Sequence, residues 1–68
     1  MAERPKALQE AIDAAGGVGK LGDAIGISGE AISQWDRVPP ARVIPIERAT
    51  GVPRERLRPD LYPPQQVA

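Results

Sequence analysis

Residues 18–35 read VGKLGDAIGISGEAISQW, and the fold turns on them. Leu21 and Ile25 stand one helical turn apart, Gly26 can close a helix by taking the left-handed conformation, and Ser28 can cap the next helix by accepting a backbone N–H. This spacing predicts a helix over 18–25 that buries Leu21, Ala24 and Ile25. A second, capped by Ser28 and running through Trp35, would bury Ala31, Ile32 and Trp35. Gly19 and Gly22 each cost such a helix about 1 kcal/mol relative to alanine, so tertiary packing must hold it. Gly22 has a physical use there, because two short helices crossing at roughly 90–120° come close only where one has a small residue at the crossing. Ser28, Gly29, Glu30, Ser33 and Gln34 are then left projecting outward.

Upstream, Leu8, Ala11, Ile12 and Ala15 recur at three- and four-residue steps, with Lys6, Gln9, Glu10 and Asp13 on other faces. A first amphipathic helix therefore spans Pro5 to Ala15, and Gly16 and Gly17 end it. Downstream, Pro40 suits the first turn of a helix reaching Thr50, with Gly51 as its C-cap. Pro45 falls inside that stretch, where it deletes one hydrogen bond and crowds the preceding turn, so two pieces are expected in place of one helix. One further turn is predicted over Pro53 to Leu57, and Pro59, Pro63 and Pro64 forbid a long continuation. No segment has a convincing strand period. The expected architecture is all-α, a compact bundle of four to five helices forming one domain over residues 1–63 with a frayed tail at 64–68.

Composition narrows the function. The chain has 68 residues, one Trp, one Tyr and no Phe, so its single core must be aliphatic. Without Cys or His it has neither a disulfide framework nor the usual zinc ligands, and no metal or other cofactor is expected. The same absence, with no paired carboxylates in a plausible pocket, argues against an enzyme. No apolar stretch approaches the roughly 20 residues a bilayer requires, so a soluble, cytoplasmic protein is expected. Nine basic and nine acidic side chains give zero net charge, a poor fit to a uniformly basic nucleic-acid binder. The charge is nonetheless divided, with three basic against six acidic residues over 1–36 and six arginines against three acids over 37–68.

On its glycines and apolar offsets, the 18–35 segment resembles the helix-turn-helix of the Cro/cI phage-repressor family. AIDAAGG before it, RVPPARVIPIERATG after it and RPDLYP near the end are similar to short Cro-like and YdaS-type regulators, so the resemblance covers roughly residues 7–63. It implies a lambda-repressor-like DNA-binding domain, and so a cytoplasmic, nucleoid-associated transcription regulator of phage or mobile-element origin that reads a double-stranded operator with the helix at about 28–35. Base contacts would come from Ser28, Gly29, Glu30, Ser33 and Gln34. Gln34 suits adenine, Glu30 suits a cytosine amine, and Ser28 or Ser33 suits a base edge or a phosphate. Gly29 departs from the pattern, since many relatives carry a long polar side chain there. The backbone amides of Val18 and Gly19 would lie near a phosphate, with Lys20, Arg37 and Arg42 as phosphate clamps.

Plainer readings stand beside these. Ser28 would cap a helix whatever that helix contacts, Glu30 suits the positive end of a helix as well as a base, and Trp35 falls on the buried face. Arg54, Arg56 and Arg58 read either as a contact for DNA or an acidic partner or as a solvated surface. Leu57, Leu61 and Tyr62 would close the bundle or form a homodimer interface. The alternative function is an antitoxin-like or protein-interaction module that binds a toxin or other protein through the Arg-rich half.

Overall fold

The computed structural model describes residues 5–63, and the expected tail at 64–68 lies outside them. The described chain is all-helical: α1 (Lys6–Ala15), α2 (Val18–Ile25), α3 (Gly29–Ser33), α4 (Pro40–Thr50) and α5 (Arg54–Leu57). Glycine sets the breaks between the first three helices. Gly16 at φ 98° returns its N–H to Ile12 and Asp13, and Gly26 at φ 82° returns its own to Gly22. Both conformations would strain any residue bearing a Cβ.

α1, α2 and α4 pack on one another, α3 lies against α2, and α5 closes on α1 and α4. Leu8, Leu21, Ile32, Val38, Val43 and Ile46 are fully buried at the centre. This aliphatic core draws a residue from four of the elements and from the linker before α4, where Val38 is the anchor. Trp35 is half-buried and packs on the edge of the core, not within it.

Three expectations are corrected. Ala24 is exposed, and Gly22 is buried in its place. With about 100° between successive residues, Leu21, Ile25 and Gly22 span one arc of α2, and Ala24 falls off its edge on the side away from Gly22. α3 ends at Ser33, short of Trp35. The Trp35 N–H reaches back three residues to the Ile32 carbonyl at 3.1 Å, a tightened final turn that swings the chain toward buried Val38.

Pro45 does not divide α4, which is continuous from Pro40 to Thr50. Pro45 is the sixth residue of α4, past the first N–H groups that have no internal partner, so it deletes one intrahelical bond, that of the Ala41 carbonyl. Fully buried Val43 and Ile46 hold the helix to the core on either side of the proline. At its end, Gly51 at φ 80° donates to Glu47 and the Thr50 hydroxyl donates to the Ile46 carbonyl at 2.7 Å.

Candidate nucleic-acid interface

α2 and α3 meet backbone to backbone. A Cβ on Gly22 would sit 2.4 Å from the Ile27 carbonyl oxygen and 3.1 Å from the Gly29 nitrogen, so only glycine allows this approach. A Cβ on Gly29 would meet the Gly19 backbone at 3.2 Å. The N-terminal ends of the two helices therefore abut, with Gly19 against Gly29. This corrects the outward placement of Gly29. The position faces α2 and is half-buried, so a long side chain there would wedge the helices apart.

The rest of the α3 set is exposed: Ser28, Glu30, Ser33 and Gln34. Their counterpart on the inner side is fully buried Ile32, which fixes the orientation of the turn. The Ser28 hydroxyl accepts the Ala31 N–H at 3.2 Å, the predicted cap. Glu30 occupies the first turn of α3, where a carboxylate is favoured by the helix dipole. The N-terminus of α2 has no side-chain cap, which leaves Val18 and Gly19 amides beside the start of α3 without a side-chain acceptor.

The expected cations do not gather equally around this ridge. Lys20 is exposed on α2. Arg37 is largely exposed and lies 3.9 Å from Asp60, a loose ion pair. Arg42 is half-buried and donates to the Ile25 carbonyl at 3.4 Å, so it braces the C-terminal end of α2, roughly 10 Å along the helix from Val18.

Arg54, Arg56 and Arg58 have internal tasks that the alternation of charges did not reveal. Arg58 is buried; it donates to the Val38 carbonyl at 2.7 Å and forks onto both carboxylate oxygens of Asp60. These hydrogen bonds from Arg58 hold the Asp60 carboxyl down to about 2, from an ordinary 3.8. Arg54 binds Glu47 through its guanidinium at 2.8 Å and its backbone N–H at 2.7 Å, and also covers the Tyr62 ring. The Glu47 carboxyl is lowered for the same reason. Arg56 pairs with Glu10 of α1. The cluster is thus an internal clasp, with Leu57 buried beneath it and Leu61 exposed beyond it. Of the two roles expected of Leu57, closing the bundle and forming a homodimer interface, it takes the first.

Among the described residues, no group of three or more Cys, His, Asp or Glu side chains could hold a metal ion. No described helix is long and apolar enough to cross a membrane. Comparison with known proteins matches residues 8–66 to one family model, described as bacterial toxin YdaS. No curated protein and no solved structure matches the chain.

Proposed function

The chain belongs to the family described as bacterial toxin YdaS, and we propose that it acts by binding and not by catalysis, as a Cro-like regulator that reads double-stranded DNA with α3. The observation that carries this reading is the backbone contact of Gly22 with residues 27–29, which seats α3 across α2 with Ser28, Glu30, Ser33 and Gln34 facing solvent. Gln34 and Glu30 are the base readers in this reading, and Ser28 and Ser33 bond phosphate or base edges. The Val18 and Gly19 amides and Lys20 meet the backbone, with Arg37 free to swing from Asp60 to a phosphate. Gly29 contributes close packing and no base contact. A neutral chain with so few available cations should bind DNA with a shallow salt dependence, because few counterions are released.

The test is titration of the purified protein with the DNA upstream of its own gene and with random duplex, at about 100 mM salt, where a specific regulator prefers its operator by about 10³ or more. Gln34→Ala with Glu30→Ala should remove that preference and leave the circular dichroism spectrum unchanged. Equal affinity for both duplexes sinks the reading. The family description, a bacterial toxin, is equally compatible with a second reading, in which the same fold binds a protein partner. Partner capture that survives both substitutions, with no DNA binding in any variant, would select it.

A further inference from the structure

Where the start of α1, Arg37 in the linker after α3 and residues 55–60 come together, they line a groove of about 380 Å³. Its charged side chains are Lys6, Arg37, Arg56 and Arg58 against Glu55 and Asp60. Two of the cations are engaged, since Arg56 pairs with Glu10 and buried Arg58 forks onto Asp60. The other two are not. Lys6 is exposed, and its side chain forms no hydrogen bond or ion pair among the described residues. Arg37 reaches only Asp60, at 3.9 Å, beyond hydrogen-bond distance. The oxygen it faces, Oδ2, already accepts from Arg58 at 2.7 Å. Asp60 is therefore an oxyanion fixed in the groove wall by one arginine, and it leaves the five donors of the second without an acceptor.

We propose that this groove clamps a phosphate of the DNA backbone between Lys6 and Arg37, and that Asp60 stands in for that phosphate when no duplex is bound. Charge selects the occupant. Four cations line the groove against two carboxylates, and the two cations without a hydrogen-bonded partner are both exposed on long stems. A backbone phosphate offers two unesterified oxygens, one for each of them, in charge-assisted hydrogen bonds that Asp60 does not supply. Arg37 comes three positions after Gln34, so a phosphate held there flanks the base that Gln34 would read. Lys6 and Asp60 thereby join the interface. The clamp rests on the reading above in taking duplex DNA as its ligand, but it needs no base contact. When Arg37 turns to the phosphate, the Asp60 charge it leaves takes up a cation from solution, which offsets part of the counterion release. Asp60 thus lowers both the affinity and its dependence on salt.

The experiment is binding of the whole chain to random duplex between about 50 and 200 mM salt, with circular dichroism on every variant. Each phosphate contact contributes about 0.9 to the slope of log affinity against log salt. Lys6→Ala and Arg37→Ala should each flatten the slope by about that amount, alike for random duplex and for the DNA upstream of the gene. Asp60→Asn should do the opposite, tightening binding about threefold and steepening the slope, and Arg37→Ala combined with it should abolish the gain. Simple loosening of the Arg58 fork would weaken binding instead. Unchanged slopes in the Lys6 and Arg37 variants, an Asp60→Asn protein that binds no tighter than the wild type, or a gain that survives Arg37→Ala would each overturn the clamp. So would millimolar inorganic phosphate that moves the amide signals of residues 6–7 and 37 as far as duplex does, since the groove would then hold a free anion. Operator preference with unchanged slopes sinks the clamp alone. Flattened slopes with equal affinity for both duplexes sink base reading by α3 alone.

Discussion

The α2–α3 pair and the segment from Arg54 to Tyr62 hold their positions by opposite means. The first has glycine at each close approach and no ion pair, so its geometry depends on the absence of side chains. The second is short, irregular and proline-flanked, and is fastened by long side chains that reach across the fold to Glu47, Glu10 and Val38. Steric contacts of the first kind are indifferent to pH and salt, whereas the second kind depends on both. The arginine excess that the sequence offers as a DNA-facing charge is largely consumed in this second task.

Glycine substitutions should separate the two regions most sharply. Gly22→Ala forces a methyl group to within 2.4 Å of a backbone oxygen and should cost about 3 kcal/mol, enough to unfold much of a marginally stable domain of this size. Gly29→Ala meets backbone at 3.2 Å and should cost less. Gly19→Ala, whose new Cβ meets nothing within 4 Å, should instead stabilise α2 by up to about 1 kcal/mol. Urea melts of the three variants check the order, and a Gly22→Ala protein as stable as the wild type would contradict the close crossing.

Acid should act on the other region. Asp60 ionises near 2 in the folded chain against 3.8 for an unperturbed aspartate, so its contribution is present above about 4 and is lost as the pH falls toward 2. Glu47 is displaced in the same direction, and the two losses overlap. The melting temperature should therefore fall between pH 4 and 2 in the wild type and fall less steeply in Asp60→Asn, which has already lost the term at neutral pH. An identical acid profile in the two proteins would show that the Arg58–Asp60 fork contributes nothing. Ser28→Ala should lower stability in a urea melt by only about 1 kcal/mol through the loss of one helix cap, with the fold retained.

Local rules recover most of the N-terminal half. α1 and α2 follow from apolar spacing and glycine stops, and the Ser28 cap from the pairing of a small hydroxyl with the helix it opens. Gly22 is legible because a steep crossing needs a small residue. What escapes is set by contacts distant in sequence. Gly29 is inward only because Gly19 lies against it, and Ala24 is exposed because the Gly22 crossing rotates the buried arc of α2 away from it. The roles of Arg54, Arg56 and Arg58 depend on partners 7, 46 and 20 positions away, which no alternation of charge identifies. Pro45 misleads for the same reason, since burial of Val43 and Ile46 outweighs the local preference to break.

The Glu10–Arg56 pair joins the first helix to the last across 46 positions, and Leu57 is buried in the core that α1 helps to build. During synthesis α1 is made well before α5 and lacks its neighbours there until residue 58 has left the ribosome, so the bundle cannot close while α5 is still in the exit tunnel. Cooperative folding consequently waits for residues 54–58, and a nascent chain stalled before Arg54 would be open to proteases that leave the closed bundle intact.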